Sequence, residues 1–218
     1  MIKFEFCEKS RETLGQWISQ LSLSPPENNR PYLIGIGGPG GSGKSHFTHW
    51  LRQEIPHSVV LSLDDFRLPR SERPKHAPFG SHPEAIDLPR LFATLTRARE
   101  GRSFSQPHFD VEHGKVLKES PLSPAPVIFV DGEITAYSEL HPYLDYLFLV
   151  QTSYWTQLRT RLHRDTRERK CSLRKTLRIY VRSNLIDHPR FAKKAKARAD
   201  LILYRNRHHR FYLRKSQL

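Results

Sequence analysis

The sequence predicts an α/β fold, a doubly wound and mostly parallel sheet, and three observations predict it. Short apolar runs alternate with helical stretches along most of the 218 residues. The first of the main runs passes through a glycine-rich turn straight into a helix. Two later runs close on aspartate, at the strand ends where open parallel sheets place their ligands. Such alternation covers both faces of a sheet with helices, so its strands read as near-continuous apolar segments.

The elements follow in order. Leu14, Trp17, Ile18 and Leu21 recur near the helical period and, with Phe6, predict an amphipathic helix packing on the core. The breaker Ser24-Pro25-Pro26-Glu27-Asn28-Asn29 then separates a helical extension, residues 1–29, from a domain over residues 30–218. Pro31 to Gly37 reads as a buried strand, Lys44 to Ile55 as a helix, and Val59 to Leu63 as a second strand ending at Asp64-Asp65. Residues 67–90 are loop-like and rich in Pro and Arg, and a helix is expected from Leu88 to Glu100. Ala125 to Val130, Tyr146 to Val150 and Leu201 to Tyr204 complete a sheet of about five strands. Trp155 to Asn184 is helical and strongly basic.

Composition narrows the class. No apolar run approaches the length that spans a bilayer, and Met1 to Phe6 lacks the basic and apolar segments of a signal peptide, so a cytoplasmic protein is expected. The two cysteines, Cys7 and Cys171, are too few for a disulfide framework or a zinc knuckle, and the twelve histidines show no ligand spacing, so no structural metal is expected. From Gln151 to Leu218 there are 20 Lys and Arg against 4 Asp and Glu; this stretch carries +16, and the first 150 residues carry −2 of the net +14. Such a field suits nucleic acid, an acidic surface or a polyanionic small ligand.

Gly38-Pro39-Gly40-Gly41-Ser42-Gly43-Lys44-Ser45 matches the pattern G-x-x-x-x-G-K-[ST] in full. Its glycines, Gly38, Gly40, Gly41 and Gly43, let successive backbone N–H groups and that of Ser42 turn around a phosphate. Lys44 neutralises phosphate oxygens and the Ser45 hydroxyl ligates Mg²⁺. Gly35-Ile36-Gly37-Gly38-Pro39-Gly40 also fits the dinucleotide fingerprint, but that fold has no use for Lys-Ser at the helix start. ATP with Mg²⁺ is therefore the expected ligand. Asp64 and Asp65 close one strand and Asp131 another, which suits a carboxylate that positions a hydroxyl and another that helps hold Mg²⁺. Asp65 fits a turn cap equally well, and Asp131 could serve the turn at Asp131-Gly132.

Six segments in order, from Tyr32 to Tyr204, carry a family resemblance. They are Gly35 to Ser45, Leu61-Ser62-Leu63-Asp64-Asp65-Phe66, His82-Pro83-Glu84-Ala85-Ile86-Asp87, Pro107-His108-Phe109-Asp110, Val130-Asp131-Gly132 and Arg164-Asp165-Thr166-Arg167-Glu168-Arg169. Together they resemble the uridine kinase and phosphoribulokinase group of P-loop kinases, which includes pantothenate and glycerate kinases. The resemblance implies transfer of a phosphoryl group from ATP to a hydroxyl of a small metabolite, with a nucleoside such as uridine foremost. It implies that Asp64 is the catalytic base beside Lys44. Asp131 stands where the family usually has Glu, near the metal, and Arg164 and Arg169 belong to a small helical lid, about residues 160–175, over the triphosphate. For the acceptor it points to Asp65, Glu84, Phe109 and His113. Ser81 replaces the Asp that usually precedes His-Pro, leaving Glu84 or Asp87 to substitute, and Phe109 lacks the usual Tyr hydroxyl. The segment Ser62 to Phe66 resembles the glycerate kinase form at least as well.

The stretch Tyr204 to Lys215 interleaves aromatics with cations, as nucleic-acid binders do. A solvated strand edge or a contact between copies of the chain explains it equally well, and a nucleic-acid-associated NTPase is the competing functional class.

Overall fold

In a computed structural model, which describes residues 5–23 and 30–216, the chain forms one seven-stranded sheet flanked by helices, with a separate two-stranded hairpin. The elements are β1 (Glu5–Phe6), α1 (Glu8–Leu23), β2 (Tyr32–Gly37), α2 (Lys44–Glu54), β3 (Ser58–Ser62), α3 (Leu88–Arg99), β4 (Phe104–Asp110), β5 (Lys115–Leu122), β6 (Val127–Asp131), β7 (Tyr146–Gln151), α4 (Tyr154–Arg167) and α5 (Leu173–Tyr180). A π-helical turn, Val181–Asp187, continues α5; two single-turn helices, β8 (Leu201–Arg205) and β9 (Arg210–Ser216) complete the chain. Among the described residues no helix is long and apolar enough to cross a membrane.

The sheet order is β1-β9-β8-β7-β2-β6-β3. The run β8-β7-β2-β6-β3 is parallel throughout, which matches the five strands expected. The sheet is wider than that because β9 returns antiparallel on β8 and β1 pairs with β9. The expected breaker at 24–29 and the side chain of Leu21 lie outside the described residues.

Successive residues of a strand point to opposite faces, and the two cores sort accordingly. Leu33, Ile128, Leu147 and Ile202 face α3 with Leu91 and Leu95. Their neighbours Ile34, Phe129, Phe148 and Leu201 face α1 and α2 with Leu14, Trp17, Phe47 and Leu51. Leu14 and Trp17 are thus core residues, each worth roughly 1.5–3 kcal/mol of burial. Trp17 meets Phe148 edge-on at 4.8 Å, and Phe6 stacks on Phe211 at 5.0 Å. The helix starts are set locally: the side chains of Asp87, Ser153 and Ser172 accept from the N–H of Arg90, Thr156 and Lys175 at the heads of α3, α4 and α5.

The hairpin β4–β5 falls where the sequence shows no strand. Its β5 is largely exposed and polar, so it lacks an apolar run, and Pro107 and Pro121 interrupt the strand signal.

Candidate active site

The loop between β2 and α2 is shaped by its glycines and anchored from outside. Gly38, Gly41 and Gly43 have φ of 139°, 81° and 104°, backbone that a side chain would strain. A Cβ on Gly38 would stand 2.3 Å from the Val150 carbonyl oxygen. Three loop carbonyls are already engaged: Pro39 by Lys44 Nζ at 3.3 Å, Gly40 by Asn184 Nδ2 at 2.8 Å and Gly41 by Arg205 Nη2 at 2.7 Å. A trans peptide directs its N–H opposite to its C=O, so the Asn184 anchor turns the Gly41 N–H the other way. Helix α2 begins at Lys44 with no side-chain cap, which leaves a helix N-terminus for an anion. Ser42 Oγ is buried and has no hydrogen-bond partner among the described residues.

The strand order decides what faces this loop. In the sheet β6 lies between β2 and β3, and Asp131 stands level with Ile36 on one side and Ser62 on the other. Asp131 therefore sits between the loop and the turn Leu63–Phe66, which carries Asp64. Burial pushes the Asp131 carboxyl up to about 6, against the pull of Lys44, and Asp64 nearby adds to the rise. Its Oδ1 is buried without a hydrogen-bond partner among the described residues. Asp64 keeps 54% of its side chain exposed. Burial raises its carboxyl, but Arg67, at 2.7 Å, with Lys44, Arg169 and Arg164 outweighs this and holds it below its usual value.

A cavity of about 520 Å³ joins these groups, a size that suits a small-molecule site. Arg164 and Arg169 border it, and both reach Asp165, at 2.9 Å and 3.6 Å. Sequence reasoning missed further lining groups. Buried Glu133 faces Arg161 Nη2 at 3.7 Å and accepts from Ser183 at 3.2 Å; burial raises its carboxyl. Arg161 packs against Gly40 so closely that a Cβ there would meet its guanidinium. Arg67, Arg70 and Arg73 line the same cavity from the segment after Asp64, where the sequence showed only a loop rich in Pro and Arg.

The four acceptor candidates are dispersed. Phe109 lines the cavity. Asp65 instead accepts from Gln106 Nε2 and from the Phe109 N–H, both at 3.1 Å, and so braces the hairpin from the turn it shares with Asp64. Glu84 is on the surface with His76 at 2.8 Å, His113 is on the surface with Asp110 at 3.0 Å, and Asp87 caps α3. Asp65, Glu84, His113 and Asp87 do not border the cavity. The substituted Ser81 does border it, and its hydroxyl donates to buried Asp187 at 2.8 Å.

Ser45 and Asp131 fit Mg²⁺. An orphaned carboxylate oxygen beside a hydroxyl, at the head of a phosphate loop, is the hard-oxygen donor set this ion takes when phosphates supply other ligands. Elsewhere, ligand atoms of His76, His82 and Glu84 lie within 4.8 Å of one another, a grouping no sequence spacing announced. Its atoms are already used: His76 pairs with Glu84, and His82 Nδ1 accepts from the Glu84 N–H at 3.3 Å.

The sequence profile of the Phosphoribulokinase / Uridine kinase family matches residues 33–211, nearly the whole of this architecture. The chain belongs to that family. It is thus an ATP-dependent phosphotransferase of the P-loop kinase type. It is 29% identical over 205 residues to a uridine kinase of Schizosaccharomyces pombe, covering 90% of this chain and 45% of the relative. It is 26% identical to a uridine kinase of Lactobacillus johnsonii, covering 81% of this chain and 88% of the relative. The chain therefore spans less than half of the yeast relative and most of the bacterial one. In fold it is similar to D-glycerate 3-kinase from Cryptococcus neoformans, with a TM-score of 0.69, 13% identity and coverage of 90% and 95% of the two chains.

Proposed function

We propose that this chain transfers the γ-phosphoryl group of ATP to a hydroxyl of a small metabolite. The observation that carries this reading is the meeting of Lys44, Asp131 and Asp64, from three separate strand ends, on one cavity. The phosphate loop and the N-terminus of α2 take the triphosphate, and Lys44, Arg164 and Arg169 balance charge on its oxygens. Ser45 and Asp131 are the residues that would hold Mg²⁺, which when bound neutralises charge on the phosphates.

In the transfer, the acceptor hydroxyl oxygen bonds to the γ-phosphorus as the bond to the β–γ bridging oxygen breaks, and ADP leaves. Asp64 orients the hydroxyl and takes its proton. Its lowered pKa keeps it ionised at neutral pH and makes it a weak base. That suits a loose transition state, in which the acceptor is deprotonated late and positioning matters most.

The names of the curated relatives support a nucleoside such as uridine as acceptor. A nucleic-acid-associated NTPase is less well supported. Arg205, within the aromatic and basic stretch, is buried and serves the phosphate loop, and Phe211 is buried in the core, so part of that stretch has a structural use. A cytoplasmic location accords with a soluble metabolite substrate. The test is transfer of labelled γ-phosphate from MgATP to nucleosides, hydroxy acids and sugar phosphates, with single-stranded RNA and DNA in parallel. One phosphorylated small acceptor, lost in Lys44→Ala, is the expected result; hydrolysis driven only by nucleic acid would overturn it.

A further inference from the structure

Helix α5 and its π-helical continuation sort their residues into rows, each made of positions four apart on one side of the helix. Thr176, Tyr180 and Asn184 are buried. The Tyr180 hydroxyl donates to the Tyr154 carbonyl at 2.8 Å, and Asn184 donates to Gln157 Oε1 at 2.6 Å besides holding Gly40. Lys175, Ile179 and Ser183 line the cavity. Leu173, Leu177, Val181 and Leu185 are exposed, and Arg174, Arg178 and Arg182 run beside them.

At 3.6 residues per turn, positions two apart stand about 200° from each other. The apolar row therefore points away from the cavity, and the arginine row points away from the buried one. The usual arrangement of a surface helix is inverted: polar residues meet the protein and large apolar residues meet solvent. Neither the core nor the cavity accounts for the apolar row. Its surface also extends beyond one helix. The bond from Tyr180 sets the head of α4 beside α5, and there Tyr154 and Trp155 are exposed, as is Ile186 next to Leu185. Together these seven side chains leave roughly 600 Å² open, the upper end of the largest apolar patch on a typical monomer.

Charge decides what covers this face. From Cys171 to Ala199 there are nine Lys and Arg and one acid, Asp187, which is buried against Arg182 at 2.9 Å. A second copy docking by the same face would set cations against cations. Trp155 and Leu173, at 71% and 57% exposure, protrude from the surface and do not line a groove for a partner helix. Protruding aromatic and aliphatic side chains rimmed by Lys and Arg are the pattern of a segment that lies in a lipid headgroup layer.

We propose that Tyr154, Trp155 and the row Leu173, Leu177, Val181 and Leu185 dock on an anionic lipid surface. The apolar side chains enter the headgroup layer, and Arg174 and Arg178 meet the lipid phosphates. Attachment is peripheral, since among the described residues no helix is long and apolar enough to cross a membrane. The cavity row points away from the lipid, so the proposal stands apart from the identity of the acceptor.

The experiment is co-sedimentation of the full chain with vesicles of phosphatidylcholine, alone or with about 30% phosphatidylserine. Anionic vesicles are expected to bind about 10-fold or more tightly than neutral ones, with the difference shrinking in high salt. Leu177→Ser combined with Val181→Ser should weaken that binding roughly 10-fold, and Arg178→Gln about fivefold. ATP affinity and the thermal transition of these variants should match those of the parent chain. Lipids with brominated acyl chains should quench tryptophan fluorescence, and Trp155→Phe should abolish the quenching. Anionic vesicles bound equally well by the Leu177→Ser, Val181→Ser variant would reduce the effect to net charge and overturn the proposal. Failure to bind vesicles overturns it too. A dimer dispersed by the same substitutions in light scattering, or an acidic amphipathic peptide bound where vesicles are not, would overturn it in favour of that occupant.

Discussion

The guanidinium of Arg205, at the end of β8, donates to the Gly41 carbonyl at 2.7 Å and to the Thr160 hydroxyl at 3.0 Å. A strand 164 residues downstream thereby fixes the carbonyl of the phosphate loop and ties it to α4. Arg205→Met keeps most of the volume and removes these bonds. The expected outcome is a loss of roughly 1.5–3 kcal/mol in stability and about tenfold weaker ATP binding, read by denaturant unfolding and by calorimetry. Unchanged ATP affinity would separate Arg205 from the loop's shape.

Asp64 is held ionised by Arg67, Lys44, Arg169 and Arg164, so it is a carboxylate across the neutral range. Asp64→Asn preserves its shape but neither accepts a proton nor orients a hydroxyl in the same way. Transfer should fall about 10²-fold or more with ATP affinity nearly intact. Near-normal turnover in a rapid-quench assay would remove Asp64 from the chemistry.

His188 is buried near Lys44, Arg161 and Tyr137, with Glu133 Oε1 at 3.7 Å from its Nδ1. Burial, then Lys44 and Arg161, depress its pKa to about 3. A depressed folded-state pKa means that the unfolded chain takes up the proton first. The stability His188 confers is complete above its ordinary value near 6.5 and declines as pH falls toward 3. Between pH 6.5 and pH 5 its titration removes roughly 2 kcal/mol. His188→Gln should flatten the unfolding free energy over that interval; an equally steep decline in the variant would assign it to other groups.

Two glycines separate backbone necessity from accident. Gly15, exposed in α1, has nothing within 4 Å of an added Cβ, so Gly15→Ala should stabilise the fold by about 0.5–1 kcal/mol. Gly38→Ala must fit a Cβ 2.3 Å from the Val150 carbonyl at φ 139° and should cost about 2 kcal/mol or more, with ATP binding reduced. Melting temperatures of the pair check both signs.

Ser45→Ala should weaken ATP binding in the presence of Mg²⁺ by about tenfold and leave metal-free binding unchanged. Equal loss with and without Mg²⁺ would indicate damage to the loop instead of to the metal site.

Much was legible from sequence because its determinants are contiguous. The loop from Gly38 to Ser45 needs eight adjacent residues to make its turn and start α2, and the parallel strands announce themselves as buried apolar runs. Asp64 and Asp131 were legible as strand-end carboxylates for the same local reason. The hairpin β4–β5 was hidden because it is polar with internal prolines, and β9 was legible only as one of several readings of the basic stretch, because charge masks the alternation Arg210-Phe211-Tyr212-Leu213-Arg214.

Which charges meet which was decided by tertiary structure. Asn184 reaches Gly40 across 144 residues and Arg161 reaches Ser183 across 22. Asp65, adjacent to Asp64, braces the hairpin, while Glu84 and His113 find partners on the surface. A side chain's type and local spacing are properties of the sequence. Whether its charge is neutralised, buried or left facing a cavity depends on groups brought close by packing.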